Sequence, residues 1–341
     1  MTNTNIKKIA IVKLSAMGDV IHAMTALQFI KEKYPNLIID WFVESAFSEI
    51  LQNNPHINTI HTVNLKNIKS KKTELFAQIA IIKEHSKNEY DLIIDAQGLI
   101  KSALVAKLLG KNIAGFSKTS IRERLASMFY KIKVDIAYDK NAIVRSAKVL
   151  SNPLGFEITE KEIMQKKAFL FFKEPNVIIN EYFEENKKNI VFVIGASWIS
   201  KMYSKDKFVK IINALNENAL IVWGNEFEHT LANYIAANSC AKVLPKLDIN
   251  SLKALISKAN LVIGNDTGPT HAAWALNVPS ITLFGNTPGN RNTFLTPINM
   301  IVESDSVVNP FKIDKKDLSI NKIDENIIIN KAKGLLYEKK D

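Results

Sequence analysis

The sequence predicts an α/β protein of two lobes, each a parallel sheet covered by helices. Three observations carry that reading. Strand-length apolar runs alternate with longer amphipathic stretches in both halves of the chain. The alternation lapses at 157–188, where charge runs show no clean repeat. The length, 341 residues, suits two domains of roughly 150 residues each better than one.

Residues 7–14 read as a buried strand, 19–34 as a helix that stops before Pro35, and 36–43 as the next strand. That is a βαβ unit, whose strands run parallel. Residues 45–54 read as a helix, 57–63 as a weak strand, 73–85 as a helix and 90–97 as a clear strand. A helix over 99–110 stops at Gly110, and 120–130 and 142–155 read as further helices. After the lapse, strands are expected at 189–197, 218–225, 241–245, 260–266 and 279–286. Helices are expected at 204–215, 226–238, 249–259 and 268–277. A closing helix covers 324–338. The expected division is a first lobe over 1–156, an interdomain region over 157–188, a second lobe over 189–323 and a closing helix over 324–341.

Lys and Arg outnumber Asp and Glu by 45 to 34, a formal charge of +11. Such a balance favours anionic partners, although a solvated Lys-rich surface gives the same count. Cys240 is the single cysteine, so no intramolecular disulfide can form, which fits a reducing compartment. Lys13 interrupts the first apolar run too early for a signal peptide, and no run reaches the roughly 18 apolar residues that span a bilayer. The expectation is a cytoplasmic protein.

In α/β sheets ligands gather beyond the carboxyl ends of the strands, and here they are expected in a cleft between the lobes. "GNDTGPTH", Gly264 to His271, ends a strand, turns and opens a helix near Pro269. Thr267 and Gly268 would then offer backbone N–H groups beside a helix N-terminus, a phosphate-binding geometry; an ordinary capped helix is the alternative. His271 lies on the first turn, where it can face the ligand or serve the structure. In "GASWISK", Ser197 can donate to a phosphate oxygen and Lys201 can neutralise one. Glu228, early on the following helix, can accept from ribose hydroxyls or simply complement the helix dipole. Asp19 follows Gly18 at the end of the first strand, where an ionised carboxylate can act as general base or cap the helix. No G-x-G, no G-x-x-x-x-G-K-[ST], no G-x-S-x-G and no zinc spacing of His and Cys occurs. No aromatic-basic nucleic-acid module is evident, and no nucleic-acid partner is expected.

Taken together, "KLSAMGDVIHAMTAL" and "GNDTGPTHAAWALNVPSITLFGNTPG", about 250 residues apart, resemble the ADP-heptose glycosyltransferases of lipopolysaccharide synthesis. The first motif is similar to the heptosyltransferase I branch; the Trp-Val-Gly-Asp variant usual in heptosyltransferase II is absent. The resemblance implies a GT-B fold, two Rossmann-like α/β/α domains facing across a cleft. It implies an inverting transfer of L-glycero-D-manno-heptose from ADP-L-glycero-β-D-manno-heptose to Kdo of lipid A, with the donor a substrate and no obligatory metal or other cofactor. Asp19 matches the base, with Ser15 to Gly18 as its loop. Lys201 matches a donor-contacting Lys, Ser197 a hydroxyl position before it, and Glu228 an acidic residue on the nucleoside side. Leu247 matches an apolar position against adenine, and Asp266, Thr267, Gly268 and His271 the donor-binding turn. Sugar hydroxyls suit Asp266 better than phosphate oxygens do. Arg122 and Arg145 become candidates for the acceptor's carboxylate or lipid phosphates. The anionic, membrane-embedded acceptor implies peripheral contact with the cytoplasmic face of the inner membrane. The sequence departs from the family's Lys-x-Trp-Pro at Lys201-Met202-Tyr203-Ser204, and Ala196 replaces a commonly hydroxylated position. The alternatives are heptosyltransferase II or a related nucleotide-sugar transferase, and a non-catalytic nucleotide-binding protein.

Overall fold

The computed structural model describes residues 6–65, 72–175 and 179–338. The chain divides into two compact units, Met1–Phe171 and Phe172–Asp341.

In the first unit the order is β1 (Lys8–Val12), α1 (Met17–Met24), α2 (Ala26–Lys33), β2 (Ile38–Glu44), β3 (Thr59–Val63), α3 (Lys72–Glu84) and β4 (Leu92–Asp95). It continues with α4 (Ile100–Leu109), β5 (Ile113–Phe116), β6 (Ile132–Val134), α5 (Ala142–Ser151) and α6 (Glu160–Met164). The sheet runs β3-β2-β1-β4-β5-β6 with every pair parallel. The central strands are buried along nearly their whole length because helices cover both faces, which is why they read as unbroken apolar runs.

The second unit holds β7 (Asn189–Val193), α7 (Lys205–Leu215), β8 (Asn218–Val222), α8 (Glu226–Ala237), β9 (Lys242–Val243) and α9 (Ile249–Lys258). Then come β10 (Leu261–Asn265), α10 (Gly268–Ala275), β11 (Ser280–Phe284), α11 (Gly289–Asn292), β12 (Asn299–Glu303) and α12 (Glu325–Tyr337). Its sheet runs β12-β11-β10-β7-β8-β9, again all parallel. Phe192, Phe208, Ile221, Ile263 and Leu283 form the centre of its core. Ile328 and Ile329 of α12 join the same core, so the closing helix belongs to this unit.

Each sheet has its own six strands in the doubly wound 3-2-1-4-5-6 order. The topological switch point lies between β1 and β4 in one and between β7 and β10 in the other, and the loops after these four strands open at the carboxyl edge.

Several local expectations need correction. The stretches expected as helices at 45–54 and 120–130 are 3-10 turns, Ser45–Leu51 and Arg124–Phe129. The helix expected over 19–34 is interrupted at Thr25. Strands β5, β6 and β12 were not expected: β6 has three residues, β5 carries Gly115 in place of a bulky residue, and β12 is only partly buried. Tyr130 fills that space, since a Cβ on Gly115 would lie 2.6 Å from its ring. The stretch 157–188 is shared between the units. Its first part includes α6, capped by Thr159, whose hydroxyl accepts from the Glu162 amide at 3.2 Å. Ile158, Ile163, Phe169 and Leu170 are buried with the first unit. Residues 176–178 of that stretch and 339–341 of the expected closing segment lie outside the described residues.

Candidate functional site

Asp19 stands on the third residue of α1, at the carboxyl edge of β1, and is exposed. One carboxylate oxygen, Oδ2, accepts from the Ala16 amide at 3.2 Å. The cap and base readings are therefore not exclusive, because a carboxylate can accept several bonds at once. Ser15 and Gly18 of its loop are half-buried.

The loop is held from both sides of the switch point. On the β2 side, the Glu44 amide donates to the Leu14 carbonyl at 3.1 Å. On the β4 side, Oε1 of Gln97 accepts from the amides of Leu14 at 2.9 Å and Ser15 at 3.1 Å. Gln97 is positioned in turn by Asp95, whose carboxylate accepts from the Gln97 and Gly98 amides and from the Tyr130 hydroxyl, the last at 2.6 Å. Asp95 is fully buried, and burial raises its carboxyl above the ordinary range despite these bonds. Sequence reasoning missed Gln97; its only signal is a polar residue directly past the second switch-point strand.

In the second unit Asp266 is the hub. It is 5% exposed at the end of β10. Its Oδ1 lies 3.0 Å from Nε2 of His271, and its Oδ2 accepts from the Thr287 hydroxyl at 3.0 Å and from the Lys201 ammonium. Lys201 also donates to the Asp266 carbonyl at 3.3 Å. Burial opposes ionisation of Asp266, but the Lys201 charge and the His271 bond outweigh it and hold the carboxyl well below the usual carboxylate range. Neighbouring Asn265 ties strand ends together: its amide donates to the Ile194 carbonyl at 2.7 Å, and its oxygen accepts from the Tyr203 amide at 3.0 Å.

This geometry gives Asp266 and Lys201 partners that their motifs do not show. Both oxygens of Asp266 are engaged within the protein, so it anchors Lys201 and His271. Lys201 is held in a buried ion pair, with its ammonium 4.9 Å from the Trp198 ring centroid; Lys315 lies over the same ring at 4.8 Å.

Thr267 is extended (φ −155°, ψ 168°), and the chain enters α10 at Gly268. Its own side chain makes no capping bond, and Pro269 lies in the first turn. The first-turn amides of a helix lack intrahelical partners and carry the positive end of its dipole, so they suit an anion. Ser197 is exposed and Leu247 half-buried, after β7 and β9 respectively. The half-buried Glu228 accepts from the Gly224 amide at 2.7 Å. A Cβ on Gly195 would lie 2.3 Å from the Glu228 carboxyl, so the loop after β7 closes on this carboxylate only because residue 195 is glycine. Ser197, Lys201, Glu228, Leu247 and the Asp266–His271 turn thus all belong to loops or helix starts at one edge of one sheet.

Arg145 is different. It is 6% exposed, and its guanidinium donates to the carbonyls of Ile136 at 3.1 Å, Ala137 at 2.6 Å and Ser120 at 2.7 Å. It also lies over the rings of Phe116 and Tyr138. Its fork is spent on clamping the loop around residues 117–138, which argues against the acceptor role suggested by the sequence. Arg122 is exposed. Among the described residues there is no group of three His, Cys, Asp or Glu that could hold a metal ion, and no helix long and apolar enough to cross a membrane.

The family model of glycosyltransferase family 9 (heptosyltransferase) matches residues 79–318. Lipopolysaccharide heptosyltransferase 1 of Campylobacter coli is 36% identical over 342 residues, covering 96% of this chain and 98% of the relative. Its namesake from Escherichia coli strain K12 is 28% identical, covering 83% and 89%. Among solved structures, the E. coli heptosyltransferase WaaC with ADP superposes with a TM-score of 0.77 at 22% identity, covering 96% of this chain and 99% of that one. The GT-B architecture follows from this likeness together with the two doubly wound units.

Proposed function

The chain belongs to glycosyltransferase family 9, the heptosyltransferases, and on that premise we propose that it is an inverting heptosyltransferase I of the lipopolysaccharide inner core. The donor is ADP-L-glycero-β-D-manno-heptose and the acceptor a Kdo residue of lipid A. The work takes place at the cytoplasmic face of the inner membrane, where the acceptor is embedded.

The acceptor hydroxyl attacks the anomeric carbon on the face opposite ADP. Its O–H proton passes to the Asp19 carboxylate, the new glycosidic C–O bond forms, and the anomeric C–O bond to the diphosphate breaks. The leaving oxygen gathers negative charge, so the largest effect open to the protein is electrostatic stabilisation there. The backbone amides at Thr267 and Gly268, where α10 begins, and the fixed charge of Lys201 supply it. Asp266 keeps Lys201 in place, and His271 holds the other oxygen of that carboxylate. Ser197 reaches an outer phosphate oxygen, Glu228 takes ribose hydroxyls and Leu247 lies against the adenine. The reaction as proposed draws on no resident metal or cofactor.

One observation carries the reading. The loops at the two switch points hold an exposed carboxylate after β1 and, after β10, a turn that opens a helix N-terminus suited to an anion. The test is incubation with several sugar nucleotides and Kdo-lipid A, followed by product mass and linkage analysis. A single heptose added to Kdo from the ADP donor supports it; a heptose added to another heptose, or transfer from a different nucleotide sugar, refutes it. In parallel, Asp19→Asn is expected to keep ADP affinity and lose turnover by about 100-fold or more, the lower range of acid–base contributions. Near-normal turnover removes Asp19 as the base.

A further inference from the structure

The first unit carries an exposed apolar face that the transfer chemistry does not use. Helix α4 packs against both α3 and the 3-10 turn Arg124–Phe129. On α4, Ile100 and Leu104, four residues apart, share an exposed stripe with Lys107. On the 3-10 turn Leu125 is 63% and Met128 76% exposed, and on α3 Phe76 is 68% exposed. The turn is fixed to α4, because Glu123 accepts from the Ile100 amide at 2.8 Å. Large apolar side chains grouped on adjoining elements mark a docking surface more often than scattered ones do.

Charge identifies the occupant. Residues 98–134 contain Lys101, Lys107, Lys111, Lys118, Arg122, Arg124, Lys131 and Lys133 against one acid, Glu123. Glu123 is half-buried and bonded to α4, and Lys101 pairs with Glu44 at 3.6 Å. The other seven basic residues are exposed. Exposed apolar side chains that share α4 and the turn with Lys107 and Arg124, with Arg122 just before the turn, match a bilayer with anionic headgroups, the apolar groups entering the acyl boundary while the cations stay at headgroup level. A nucleic acid would use the charge but leave Leu125 and Met128 in water. The position agrees: α4 starts just beyond the carboxyl end of β4, beside Gln97 and the loop that carries Asp19.

We propose that α4 and the Arg124–Phe129 turn form a membrane-docking face that inserts Leu125 and Met128 into an anionic bilayer and so presents the Asp19 edge of the sheet to a lipid-anchored acceptor. Only the identity of that acceptor rests on the function proposed above; docking itself is measured without it.

The full chain is tested by co-sedimentation with phosphatidylcholine vesicles, with and without phosphatidylglycerol. The parent is expected to bind the anionic vesicles, and Leu125→Ser/Met128→Ser to bind about tenfold more weakly. Leu125→Trp should give an emission shifted to the blue, relative to the parent, when anionic vesicles are added. Transfer to an acceptor dispersed in detergent should be unchanged in the double variant, while transfer to the same acceptor in vesicles falls about tenfold. Equal vesicle binding by parent and double variant overturns the proposal. So does loss of the detergent activity, which would make the face part of folding or catalysis. Binding to single-stranded RNA with no binding to anionic vesicles also overturns it. If transfer chemistry fails with every donor but anionic vesicles still bind through Leu125 and Met128, the docking face stands and the assigned function falls.

Discussion

Asp266 is both buried and ionised, and its neighbours make that possible. A lone buried carboxylate would take up a proton, but Lys201, His271 and Thr287 together offset the desolvation. Its folded pKa is depressed, so the stability it contributes is complete above the unfolded carboxylate value of about 3.9 and drains away as pH falls through the folded value. Removing the cation should be costly in two ways. Lys201→Met leaves the carboxylate poorly compensated, and breaking a buried pair costs about 3–5 kcal/mol. Urea unfolding at neutral pH is expected to show that loss, and a pH series should show the gap between variant and parent narrowing as pH falls and the carboxyl takes up a proton. An unchanged midpoint would mean that the pair contributes nothing net. Arg145 shows the opposite outcome for a charged residue singled out from sequence. Its motif suggested an anion site, yet three backbone carbonyls occupy its guanidinium.

At the scale of elements, the site depends on how closely strand ends approach. A Cβ on Gly264 would lie 2.6 Å from the Val193 carbonyl oxygen and 3.0 Å from its Cα, both backbone atoms that cannot swing aside. Gly264→Ala should therefore push β10 from β7 and destabilise the second unit by about 1–3 kcal/mol, the usual range for overpacking. At Gly195 the obstacle is the mobile end of Glu228. Gly195→Ala should cost little stability and instead displace that carboxylate, weakening ADP binding. Thermal unfolding and ADP titration of the two variants separate the cases: stability falls in the first, affinity at nearly unchanged stability in the second. The same scale explains the elements missed in sequence. β5 and β6 have four and three residues, too few to display a periodicity. The segments at 45–54 and 120–130 have helical composition but fold as 3-10 turns, which local propensity does not distinguish.

At the scale of the whole chain, two units with separate sheets and separate cores divide the work. All the residues proposed to hold the donor lie in Phe172–Asp341, whereas the proposed base, Asp19, lies in Met1–Phe171. A ligand that binds only the folded second unit stabilises it by about 2.7 kcal/mol at a hundredfold excess over its Kd. Hydrogen exchange with saturating ADP is expected to slow the amides of 195–201, 224–228 and 264–271 and to leave β1 through β6 unaffected. Equal slowing of both sheets would place the nucleotide elsewhere. The alternation that predicts two α/β lobes was legible because both sheets are parallel and covered on both faces, so every central strand is a continuous apolar run. The strand order was not, since pairing is set by contacts far apart in the chain.

The sequence by itself determined that two α/β lobes exist, that Asp19 ends the loop after one strand and that the Asp266–His271 turn opens a helix after another. These are local facts, written in periodicity and turn chemistry within a few residues. Only the tertiary structure decided which side chains engage one another. Lys201 and Asp266 lie 65 residues apart, and Gln97 reaches back 83 residues to the Leu14 amide. Such pairings form when separate strand ends meet at a switch point, and no local pattern in the chain encodes them.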